Sequence, residues 1–114
     1  MRDKLDRLYP KLVIGRKCYF CGKPAENMHH IIPRANILLR WDLENLLPVC
    51  YNCHQALHNA PHDIRLYIGL VRQAYLDEMK NINFQDYLRV HNLTREEFYK
   101  LKEFELKGAI KCNA

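Results

Sequence analysis

Apolar residues in the first half of this chain come in short bursts cut by prolines and polar turns; beyond residue 60 they recur at helical spacing. Leu5 and Leu8 share a side of a short helix over 2–8, ended at Tyr9-Pro10 because proline disfavours helical geometry in the residue before it. Leu12-Val13-Ile14, stopped by Gly15, reads as a packing run. Glu26 to Ile32 reads as a strand stopped by Pro33, and Leu46 to Val49 as a second short extended piece that Pro48 confines to an edge or end. Asn52 is placed to cap a helix carrying His54, Leu57 and His58 as far as Asn59, too short to persist alone.

Pro61 and Asp63 suit the first turn of a longer helix, along which Ile64, Ile68, Val71, Tyr75 and Met79 fall on one face. A third helix opens at Asn83 with Asp86 three residues on, holds Phe84, Tyr87 and Leu88, and ends at Asn92. Thr94 to Glu97 is a capping box for a last helix that Gly108 terminates. The pattern is α+β: a small core over 1–60 and a mainly helical extension over 61–114 packed on or beside it.

A chain of 114 residues has room for one core and no second catalytic domain. No apolar run approaches the roughly 20 residues of a membrane span, and the start MRDKLDRLYP lacks a signal-peptide core, so a soluble, cytoplasmic protein without membrane partners is expected. Four of the five cysteines form two Cys-x-x-Cys pairs, which in a reducing compartment bind metal more readily than they oxidise. Cys112, close to the end, has no partner in the pattern and reads as a tail thiol. The formal charge of +5 is uneven: residues 1–60 hold nine Lys/Arg against five Asp/Glu, and 61–114 hold nine against eight. The positive field surrounds the cysteines and histidines, where a polyanion would be drawn.

Cys18, Cys21, Cys50 and Cys53 have the form of a paired zinc knuckle, with Gly22 permitting the tight turn. The 28 residues between the pairs exceed a simple zinc ribbon and leave room for structure of their own. His54 and His58, four apart, share a helix face and can hold one metal, with His29 as third ligand and coordination positions left open. His30, next to His29 on a strand, points to the other face and is free to accept a proton from water. Asn45 can hold the long loop by hydrogen bonds to backbone and so fix where His30 points.

His29-His30, Asn45 in Asn-Leu-Leu-Pro-Val-Cys, and Cys53-His54 followed by His58 resemble the HNH endonucleases in the variant with a four-cysteine structural zinc, over about residues 16–60. The resemblance implies a ββα-metal (His-Me finger) core and hydrolysis of phosphodiester bonds in DNA, leaving 5′-phosphate and 3′-hydroxyl ends. It makes His30 the general base and places one catalytic divalent ion (Zn²⁺, Ni²⁺, Mn²⁺ or Mg²⁺) at His29, His54 and His58, beside the structural Zn²⁺. Arg16, Lys17, Lys23, Arg34 and Arg40 become candidate phosphate contacts, and a bacterial or phage-infected cell the expected setting. A noncatalytic zinc-stabilised module that binds DNA or protein is the alternative reading. The helices beyond residue 60 are candidates for a homodimer or partner-protein face. Read as a helix-turn-helix they would bring a second helix whose lysines and arginine are balanced by glutamates, poorly suited to lie among phosphates. His62 and His91 fall outside the motif, and Trp41 is expected in the core.

Overall fold

The computed structural model describes residues 1–59 and 67–112. Helix α1 (Arg2–Leu8) buries Leu5 and runs into a 3-10 turn, Tyr9–Val13, which buries Leu12. Strand β1 (Asn27–His30) pairs antiparallel with β2 (Leu46–Val49), with His29 opposite Leu47 and His30 opposite Leu46. Flanking bonds from Glu26 N to Val49 O and Ile31 N to Asn45 O, both 2.9 Å, carry the pairing one residue further at each end. With only these two strands among the described residues, Pro48 costs the ladder nothing on its open side. Helix α2 (Tyr51–Asn59) follows β2 directly.

Helices α3 (Leu70–Met79), α4 (Phe84–Val90) and α5 (Arg95–Cys112) complete the chain. Asn83 caps α4 by accepting from Asp86 N at 3.1 Å, and Asn92 leaves the helix at φ 54°. The Thr94/Glu97 box is reciprocal, with both bonds at 3.1 Å.

Four expectations need correction. The α2 cap is not Asn52, which lies inside the first turn: the Cys50 sulfur accepts from Cys53 N at 3.4 Å. Helix α3 starts at Leu70, after Gly69 at φ 90°, so Ile68 packs from the preceding turn. The buried residue of α3 is Leu76, while Val71, expected on the core stripe, is 88% exposed. Gly108 does not end α5, which continues to Cys112, an exposed free thiol. Pro61, His62, Asp63 and Ile64 lie outside the described residues.

Two apolar clusters hold the molecule. Leu5, Leu12, Met28, Leu38, Trp41, Leu46, Leu88, Phe98, Tyr99 and Leu106 form one, built from both ends of the chain around a fully buried Trp41. Cys18, Ile31, Leu39, Leu47, Val49, Cys50, Ile68 and Leu76 form the other, under the knuckles. Helix α1 lies along α5, joined also by a Lys4–Glu103 ion pair. Among the described residues, no helix is long and apolar enough to cross a membrane.

Candidate metal centres

The two cysteine pairs converge because β2 delivers Cys50 beside the first knuckle. Tyr19 N donates to Pro48 O at 2.8 Å and Glu26 N to Val49 O at 2.9 Å, so the knuckle is stitched to the strand that precedes Cys50. Gly22 takes φ 77°, and Gly22 N reaches Cys18 O at 3.1 Å, closing the turn the spacing demanded. The four sulfurs lie within 4.8 Å of one another, Cys21 and Cys50 at 3.5 Å. Tetrahedral zinc with bonds of about 2.3 Å needs sulfurs roughly 3.8 Å apart, so the cluster fits such an ion. Burial would raise the Cys18 pKa, but hydrogen bonds from the backbone of Cys50, Cys21 and Phe20 outweigh it and favour the thiolate. Cys53 is pushed the other way by its hydrogen bond with Cys50, then by burial and its other thiol neighbours. A cation is what would let all four ionise together.

The histidines meet on the other side of the sheet–helix junction. One turn of α2 brings His54 Nε2 to 3.1 Å from His58 Nε2, and His29 faces both, its ring centroid 5.3 Å from that of His54 and 6.0 Å from that of His58. One nitrogen from each ring lies within 4.8 Å of the others. Zinc–nitrogen bonds of about 2.05 Å would need spacings of roughly 3.3 Å, so this trio too fits a divalent ion, with three protein ligands. Burial, then the charges of His54, His58 and His30, pushes His29 down to about 4; burial, then His58, lowers His54. Neutral imidazoles keep the lone pairs that metal ligation uses. His58 is exposed, which leaves the trio open to solvent.

His30 turns away from that trio, as alternation on a strand requires, and packs edge-on against Tyr9 at 5.0 Å. Its Nε2 lies 2.8 Å from Arg40 O. Burial lowers its pKa most; the Arg40 carbonyl opposes this, the Arg34 and Arg40 charges add to it, and Asp6 offsets them in part. Both histidines of the pair nevertheless line one cleft of about 460 Å³, together with Tyr9, Pro33, Arg34, His54 and His58.

Asn45 is fully buried and spans the 31–45 loop: its Oδ1 accepts from Ile32 N at 2.7 Å, and its Nδ2 donates to Ile32 O and Leu39 O at 3.0 Å. Of the expected phosphate contacts, only Arg34 lines the cleft. Arg16 and Lys17 border a separate hollow with Ile14 and Pro24, and Lys23 is exposed on the knuckle. The Arg40 guanidinium is engaged elsewhere, donating to both carboxylate oxygens of Asp6 at 3.0 and 2.7 Å. Tyr9 and Asp6 were not singled out by the sequence. Nothing in their spacing links them to the histidines: the contacts are long-range, Asp6 meeting Arg40 34 positions away.

Residues 18–60 match the HNH endonuclease family. The chain is also similar to the CRISPR-associated endonuclease Cas9 of Corynebacterium diphtheriae (strain ATCC 700971 / NCTC 13129 / Biotype gravis), at 38% identity over 52 residues that cover 42% of this chain and 5% of that relative's length. No solved structure matches significantly. The family match, the strand–strand–helix arrangement and the cysteine cluster agree: residues 18–60 match the HNH endonuclease family, with a cysteine cluster consistent with its four-cysteine variant.

Proposed function

We propose that this chain is a metal-dependent endonuclease that hydrolyses phosphodiester bonds in DNA, with His30 as general base. The observation that carries the reading is the grouping of three imidazoles within reach of one ion while a fourth lines the same cleft, within the segment that matches the family. A carbonyl oxygen can only accept, so the His30–Arg40 contact places the proton of the neutral ring on Nε2 and leaves the lone pair on Nδ1. That is the tautomer a base needs to take a proton from water. Burial keeps the ring neutral at physiological pH, and Asn45 ties down the loop that supplies the carbonyl.

His29, His54 and His58 would hold the catalytic ion, and the four cysteines a structural Zn²⁺. A divalent ion at the histidines supplies Lewis-acid stabilisation of the charge that develops on the phosphoryl oxygens and the departing 3′ oxygen. Imidazole ligands suit Zn²⁺ and Ni²⁺; Mn²⁺ and Mg²⁺ are the other candidates. Arg34, which lines the cleft, is the first candidate for a phosphate contact, ahead of Arg16 and Lys17 beside a separate hollow and the exposed Lys23. Plasmid nicking with added Mg²⁺, Mn²⁺, Ni²⁺ or Zn²⁺ tests the reading. The intact chain is expected to nick with at least one ion and His30→Ala to be about 10²–10⁴-fold slower. Equal inertness of both chains across all four ions would leave the noncatalytic module as the better description.

A further inference from the structure

Helix α1 lies outside the family match, yet it ends against the loop that orients His30. Asp6, on this helix, accepts from Arg40 Nε at 3.0 Å, Arg40 Nη2 at 2.7 Å and Trp41 Nε1 at 3.0 Å, with Arg34 Nη2 at 3.8 Å. Arg40 and Trp41 are consecutive, and the carbonyl between them is the one His30 Nε2 contacts at 2.8 Å. One carboxylate therefore grips the side chains on both sides of a single peptide group. The fork of two bonds to Arg40 fixes direction as well as distance, and the Trp41 indole, buried in the core, allows its end of the peptide little travel. Without the carboxylate, the Arg34 and Arg40 guanidinium charges would lose their shared counter-ion, although Arg40 Nη1 also donates to Arg34 O at 3.3 Å.

We propose that Asp6 is a positioning residue for His30: by clamping Arg40 and Trp41 it sets the carbonyl that fixes the tautomer and the aim of the base. The proposal rests on the nuclease reading for its kinetic consequence but not for its structural one. It also gives Arg40 a role in place of DNA contact. The N-terminal helix thereby belongs to the working site, although it lies outside the matched segment.

The test uses the full, metal-loaded chain and four proteins: wild type, Asp6→Asn, Arg40→Lys and Thr94→Ala. Thr94→Ala removes the distant α5 cap and controls for a general loss of stability. Two readouts are taken: kcat and KM on a short DNA duplex, and the His30 ring nitrogens with their attached proton by long-range proton–nitrogen NMR. Asp6→Asn and Arg40→Lys are expected to lower kcat about 10–100-fold with KM within about twofold, since misplacing a catalytic group by about 1 Å costs up to that much. In both, the Nε2 proton of His30 should exchange faster with solvent or the ring should populate the other tautomer. Thr94→Ala should change neither readout.

An unchanged His30 ring in Asp6→Asn and Arg40→Lys would overturn the proposal, leaving Asp6 a brace of the fold. So would a raised KM with unchanged kcat in Arg40→Lys, which keeps the charge and would mark a DNA contact. If wild type cuts no DNA with any ion, the nuclease reading fails and the ring measurement alone decides the positioning claim. If Asp6→Asn does not fold, Arg40→Lys supplies both readings.

Discussion

Asn45 is a polar side chain in a fully buried position, and all three of its hydrogen bonds go to backbone groups of the loop it closes. Asn45→Ala leaves Ile32 N and Ile32 O without their partner, while Leu39 O keeps its bond from Asp42 N at 3.1 Å, and a buried unsatisfied group costs roughly 1–3 kcal/mol. The expected loss is at least about 2 kcal/mol in denaturant unfolding. Asn45→Asp is the sharper substitution: it keeps the acceptor for Ile32 N but turns a carboxylate oxygen toward two carbonyls. It should destabilise at least as much, and an Asp variant as stable as wild type would refute this account of the loop.

Asp6 gives a residue-scale prediction with a sign. Burial alone would raise its pKa, but the hydrogen bonds from Arg40 and Trp41 and the charges of Arg40 and Arg34 outweigh this and hold the carboxyl below its ordinary 3.8. A group depressed in the folded state contributes stability that is complete above the unfolded pKa and is lost as pH falls through the folded value. The stability gap between wild type and Asp6→Asn should be full at pH 7, at roughly 1–2 kcal/mol, and close at acid pH below that value. Comparing the two chains at each pH cancels any acid loss of metal common to both. A gap that widens toward pH 3 would contradict the assignment.

At the scale of elements, what was legible in the sequence is what local chemistry decides. The Asn83 cap, the Thr94/Glu97 box and the turn at Gly22 each follow from residues within a few positions of one another. In the candidate site the same reason applies to His54 and His58, set by one helical turn, and to Asn45, set by the loop it closes. On α3, Tyr75 and Met79 pack on the core as the stripe expects and Val71 does not, because a 3.6-residue stripe can be continued through a turn on paper. Gly69 at φ 90° breaks the phase between Ile68 and the helix, so Leu76 rather than Val71 faces the core. The two readings differ by measurement: Leu76→Ala is expected to cost about 2–5 kcal/mol, whereas Val71→Ser, at an 88% exposed position, should stay within about 0.5 kcal/mol. Gly108 was misread as a stop because glycine ends helices only where a positive φ or a missing partner calls for it. Here α5 continues with Leu106, Ala109 and Ile110 packed on the core.

The whole molecule is organised by two clusters that depend on the cysteines to different degrees. The cluster around Trp41 and Phe98 contains no cysteine and is closed by α1 and α5, whereas the other includes Cys18 and Cys50 and underlies α2. Helix α2 has no buried residue of its own, spans nine residues and takes its N-terminal cap from the Cys50 sulfur. A helix that short does not persist without tertiary support, and without a cation the four cysteines cannot all ionise, so no shared ion ties the two pairs together. Removing the metal with a chelator should therefore release the knuckles and α2 while α5 stays folded. Hydrogen exchange should show protection falling in residues 16–24 and 50–59 and persisting through 97–106, where Phe98, Tyr99 and Leu106 are buried. His54 and His58 ride on the released helix, so the nuclease activity proposed above should vanish with the ion proposed for the cysteines even when Mg²⁺ or Mn²⁺ is supplied in excess. Uniform loss of protection along the chain would instead mean that the two clusters unfold as one unit, and that the cysteine centre supports the N-terminal and C-terminal helices as directly as it supports the site.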